Sequence, residues 1–209
     1  MRKYLLAAAS VGIMNTAAHA DIVIDTTPDW NGSSFEFPLA QPNNSVWGET
    51  IVAPAGGDIF DSVTFNVNVL TGPLVVTGYV YAWDPIVGDA TGPALFTSSQ
   101  ITLDDVGGFQ AVTLDPNIAV TAGDPYVAFL YADSGSLGEW AITSTPDGNN
   151  GLDYLGAGTD LTQLTAGTWT CAGCGPDSAF TADFGVPEPA SLALFGVGLA
   201  GIGWLRRRA

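Results

Sequence analysis

The stretch Val63-Thr64-Phe65-Asn66-Val67-Asn68-Val69 decides the fold. Its apolar residues take every second position, so an extended backbone sets four apolar side chains on one face and the polar ones on the other. A helix would scatter them around its circumference. The same period returns on both sides of this stretch, at residues 35–39, 46–52, 75–83, 109–114, 126–131, 140–143 and 180–184. Between these runs lie Gly72-Pro73, Gly92-Pro93, Gly107-Gly108, Asp115-Pro116, Asp124-Pro125 and Pro146-Asp147-Gly148, all pairs or triplets with turn chemistry. No long 3.6-residue period appears before the C-terminal tail. The pattern predicts an all-β chain with a single antiparallel β-sandwich, jelly-roll-like, over residues 21–185.

Charge distribution narrows the function. The 209 residues carry 5 Lys+Arg against 21 Asp+Glu, for a net charge of −16. Arg2 and Lys3 stand at one end and Arg206, Arg207 and Arg208 at the other, so residues 21–186 hold no Lys or Arg, and the only histidine is His19. A surface of one sign repels phosphate backbones, which excludes nucleic acid as a partner. Catalysis by a His base, a Lys nucleophile or a P-loop Lys is excluded with it. Charged residues make up only 12% of the chain, the profile of an exported β protein rather than a helical cytosolic one.

Both ends read as addresses. Arg2-Lys3, a largely apolar run over 5–13 and the small residues Ala18 and Ala20 before Asp21 predict a signal peptide over residues 1–20, cut to leave Asp21 first. The other end, residues 186–209, joins Pro187-Glu188-Pro189 to an apolar segment over 190–205 and the cluster Arg206-Arg207-Arg208. At about 1.5 Å per helical residue that segment reaches roughly 24 Å, which predicts a short C-terminal transmembrane helix with its arginines in the cytoplasm.

Those three parts, in that order, resemble the PEP-CTERM sorting tail. The resemblance implies a membrane-embedded protease, exosortase, as partner, with Pro187, Glu188 and Pro189 as its recognition residues. It also implies an inner-membrane-anchored precursor, followed by the cell surface or extracellular matrix of a Gram-negative bacterium with exopolysaccharide. The strings Gly78-Tyr79-Val80-Tyr81-Ala82-Trp83-Asp84, Gly92-Pro93-Ala94-Leu95-Phe96, Tyr126-Val127-Ala128-Phe129-Leu130 and Ala179-Phe180-Thr181-Ala182-Asp183-Phe184 are similar to the β-sandwich body that often precedes this tail. That likeness implies a fold and no activity.

Four constellations in the body bear on chemistry. Cys171 and Cys174 form a C-x-x-C without a second pair or a histidine in the domain, which in an exported chain reads as a disulfide closing a very short loop. Tyr79, Tyr81 and Trp83 share one strand face, as a filler of the sandwich core or, in the less favoured reading, as a stacking row for sugar rings. Trp30, Trp47, Trp140 and Trp169 pose the same alternative. Asp147, Asn149 and Asp153 offer oxygens at alternating positions; they depart from the EF-hand pattern, and calcium is the one cofactor such a loop, or Asp104-Asp105, admits, against the plainer reading of a solvated turn. Glu36, Glu49 and Glu139 are the acids available to a carboxylate glycosidase, with no spacing that selects a pair. Asp133-Ser134-Gly135 matches an aspartic-protease triplet without its second copy. The expectation is a non-catalytic module associated with exopolysaccharide, with a ligand-free structural matrix protein as alternative and a glycosidase behind both.

Overall fold

A computed structural model describes residues 20–39, 45–132, 136–143, 154–157, 169–171 and 177–186. The described residues form fourteen strands and one 3-10 turn, Thr27–Asp29, arranged as two antiparallel sheets. Asp21–Pro187 form one compact unit.

The opening stretch lies inside the longest strand, β4 (Ile59–Thr71), and its inward residues Val63, Phe65, Val67 and Val69 are all buried. Around β4 the first sheet is built. On one side β8 (Phe109–Leu114) pairs with its middle and β9 (Ile118–Ala119) with its start. On the other side β14 (Phe180–Val186) takes its first half and β11 (Leu137–Ala141) its second, and β1 (Ala20–Asp25) and β2 (Phe35–Leu39) follow outside them. The second sheet runs β13 (Trp169–Cys171), β12 (Tyr154–Ala157), β3 (Val46–Val52), β10 (Pro125–Ala132), β5 (Leu74–Asp84) and β6 (Asp89–Thr97), with β7 (Ile101–Leu103) also on β5.

One hydrophobic cluster draws on both sheets. Phe60, Phe65, Trp140, Phe180 and Phe184 come from the first, and Trp47, Ile51, Val76, Val80 and Leu130 from the second. Aromatic pairs within it, Phe60 on Phe184 at 4.7 Å and Phe65 against Trp140 at 4.6 Å, add to the burial that drives the fold.

Two expectations change. Gly92-Pro93 does not end a strand but lies within β6, where the register against β5 slips between Val80 and Ala82. β6 is an edge strand, so the missing proline N–H breaks no ladder, and Gly92 takes the positive φ of 71° that the bulge requires. The strand expected over 140–143 runs instead over Leu137–Ala141. The expected transmembrane helix lies outside the described residues, among which no helix is long and apolar enough to cross a membrane.

Candidate functional site

The alternation of β5 sorts its side chains onto two faces. Leu74, Val76 and Val80 point into the inter-sheet core, while Tyr79, Tyr81 and Trp83 are half-buried on the opposite, outer face. The row therefore does not fill the core between the sheets. A physical reason sits at Gly78, where a Cβ would stand 2.9 Å from Cγ of Leu114 on the other sheet. The sheets approach too closely there for ring-sized side chains.

The outer face carries its own cluster. Phe129, opposite Tyr79 in the β10–β5 register, is fully buried and stacks on Tyr79 at 5.2 Å and Tyr81 at 5.8 Å. Trp169 of β13 stands edge-on to Phe129 at 5.3 Å and to Trp83 at 5.7 Å. Val46, Val127 and Ala90 complete the floor, and Tyr131 packs against it. Burial pushes the Tyr79 phenol above its usual pKa, and the neighbouring Tyr81 and Tyr131 phenols push it further. Of the other tryptophans, Trp47 and Trp140 are buried between the sheets, and Trp30 lies edge-on to Phe109 at 5.0 Å with its indole N–H donating to the Ser34 carbonyl. Trp169 alone among the four joins the row.

At the ends of these strands a cleft of about 350 Å³ is lined by residues 82–85, Thr91 and residues 124–126. Trp83, Asp84, Asp124 and Tyr126 give it aromatic and carboxylate groups without a single cation. A second cleft, about 410 Å³, lies between residues 96–99, Ile101 and residues 113–115, where the hydroxyls of Thr97, Ser98, Ser99 and Thr113 share the wall with Phe96, Ile101 and Leu114.

The acids considered for catalysis go to different places. Glu49 faces the core, is 1% exposed and accepts the Ser178 N–H at 2.9 Å through Oε2. Around it Trp140 Nε1 donates to Ser178 Oγ at 2.9 Å and Thr26 Oγ1 to the Ser178 carbonyl at 2.6 Å, a buried network tying β3, β11 and the chain before β14 together. Glu139 lies on β11 beside core-facing Trp140, so it looks outward, where its Oε2 accepts from Asn68 Nδ2 at 2.7 Å. Glu49 and Glu139 thus stand on opposite sides of a sheet and share no cleft. The backbone of Glu36 pairs with Trp140 in β2.

Asp105 Oδ1 accepts the Gly107 N–H at 2.9 Å, and the Asp104 carbonyl accepts from Gln110 Nε2 at 2.8 Å, which makes this pair part of a turn. Among the described residues no group of three His, Cys, Asp or Glu side chains gathers as a ready-made metal site. Ala20 opens β1 next to the expected cut at Asp21. Ala18, Asp133-Ser134-Gly135, Asp147, Asn149, Asp153, Cys174, Pro187, Glu188, Pro189, Arg206, Arg207 and Arg208 lie outside the described residues, and of Cys171 only the strand position is described.

Sequence reasoning named the Tyr79-Tyr81-Trp83 row but not Phe129 or the Glu49–Ser178 contact. Phe129 alternates with buried Ala128 and Leu130 inside a continuous apolar run, so no local period reveals which face it serves.

No curated protein matches the chain. Residues 185–208 match the family model described as the PEP-CTERM protein-sorting motif. The chain carries a PEP-CTERM sorting tail, the mark of an exported protein that passes through a membrane-anchored precursor and is processed by exosortase.

Proposed function

We propose that the two sheets form a jelly-roll-like sandwich that acts, after export, as a non-catalytic module associated with exopolysaccharide at the surface or in the matrix of a Gram-negative cell. The observation that carries this reading is the half-exposed aromatic row Tyr79, Tyr81 and Trp83 on an outer sheet face, held flat by Phe129 beneath it. Flat rings on a sheet stack against the apolar faces of sugar rings, and the absence of Lys, Arg and His from residues 21–186 leaves aromatic and carboxylate groups as the recognition chemistry.

A glycan array probed with the protein, with and without calcium, tests the reading. Binding that falls at least tenfold in the Tyr81→Ala and Trp83→Ala variants is the expected result. No binding under either condition sinks it. The acidity of the domain, with every acid but Glu188 lying in residues 21–186, favours as second reading a structural matrix protein whose charge serves solubility and ionic cross-linking. That reading expects an array without hits and a protein that still fractionates with the matrix.

A further inference from the structure

We propose that Asp84 and Asp89, at the base of the β5–β6 hairpin, bind a divalent, oxygen-seeking cation of the calcium class. The site does not depend on glycan binding.

The register makes Asp84 and Asp89 direct cross-strand partners. Side chains at such positions share a face, with Cβ atoms about 4.5–5.5 Å apart, and like charges there destabilise the pair. Asp124, which precedes β10 on the other side of β5, lines the same cleft as Asp84. Asp84 and Asp89 thus form a carboxylate pair at one end of the sheet, and Asp124 lines the adjoining cleft without making a third member of the cluster.

Asp89 supplies the second, independent observation. It is only 7% exposed, and its Oδ1 has no hydrogen-bond partner. A buried carboxylate oxygen without a donor is costly, and structures leave few of them. Asp84 is already held in place: its Oδ1 accepts the Ile86 N–H at 2.8 Å and the Val87 N–H at 3.3 Å, and its carbonyl accepts the Gly88 N–H at 2.8 Å. Its second carboxylate oxygen remains for a ligand. No protein group can neutralise the pair from within the domain, because residues 21–186 contain no Lys, Arg or His. The neutralising charge must come from solution.

Calcium fits this chemistry better than magnesium or zinc. Its shell of 6–8 oxygens at flexible geometry accepts carboxylates, backbone carbonyls and water together, which suits a pair of fixed carboxylates completed by carbonyls and water. Zinc favours His and Cys, which the hairpin lacks, and magnesium requires a tighter octahedron.

Terbium, a luminescent stand-in for calcium, tests the site in the full chain held in detergent. Excitation of tryptophan is expected to sensitise terbium emission through the adjacent Trp83, calcium to quench it by competition, and Asp89→Asn or Asp84→Asn to remove most of it. Asp104→Asn, in a turn on another loop, is the control and leaves it in place. In parallel, about 10 mM calcium is expected to raise the folded-to-unfolded ratio about ten- to a hundredfold, from dissociation constants of about 10⁻⁴–10⁻³ M usual for extracellular sites. Sodium chloride at matched ionic strength is expected to do less, and Asp89→Asn to bring calcium down to the sodium effect. Emission that survives in both asparagine variants, or a calcium response equal to that of sodium, overturns the proposal.

Discussion

Gly78 shows how a single missing side chain sets the distance between the sheets. Its Cβ would meet the Leu114 side chain, with Cγ at 2.9 Å, so Gly78→Ala forces either Leu114 or the strand to move. Overpacking of this kind costs about 1–3 kcal/mol. Urea unfolding is expected to show that loss, and adding Leu114→Ala is expected to cost less in the Gly78→Ala background than in the wild type, because the cavity and the new methyl compensate. Tyr79 offers a second measurement at this scale. Its phenol is held above the ordinary pKa, first by burial and then by Tyr81 and Tyr131, so the folded state favours the protonated form. That contribution is fully present below the unfolded tyrosine value of about 10 and is lost as pH rises through the folded value. Absorbance titration at alkaline pH is expected to show a late phenolate step, which Tyr79→Phe removes. A Tyr79 that titrates with the ordinary tyrosines contradicts the packing described for the row.

At the scale of elements, β1 depends on its neighbour more than on itself. Ile22 and Ile24 pack on the core while Val23 faces solvent, and Thr26 anchors the strand by exchanging hydrogen bonds with Phe180 at the start of β14. Deleting Asp21–Asp25 withdraws two half-buried isoleucines, about 2 kcal/mol of apolar burial, and bares the edge of β14. Reduced urea stability together with rising light scattering is the expected outcome. An unchanged midpoint would mean that β1 contributes nothing to the sheet. β2, β3 and β8 have the bounds that alternation predicted, although β8 buries one face, through Val112 and Leu114, whereas β3 is buried on both. β6 escaped notice: its Gly-Pro pair carries turn chemistry, and only its place at the sheet edge lets the strand continue through it.

On the scale of the whole molecule, the first and last strands of the body are neighbours. With Thr26 bonded to Phe180, the antiparallel run brings the start of β1 beside the end of β14, where Val186 leads into Pro187-Glu188-Pro189. A circular permutant that joins Asp21 to Val186 by a short linker and opens the chain at residues 98–100 is expected to unfold cooperatively, with a loss of about 1 kcal/mol, the scale of loop-length effects. Failure to fold would place the two ends apart. The sequence by itself determined the sorting tail, the one-signed charge of residues 21–186 and which residues alternate along the strands, because these depend on composition and on neighbours within a few positions. It also brought out the Tyr79-Tyr81-Trp83 row as a unit. Only the tertiary structure decided that the row faces outward, that Phe129 lies beneath it, that Asp89 stands beside Asp84 and that Glu49 serves Ser178, 129 residues away. A period of two assigns residues to two faces without saying which one the opposite sheet will cover, and contacts between distant strands leave no local trace.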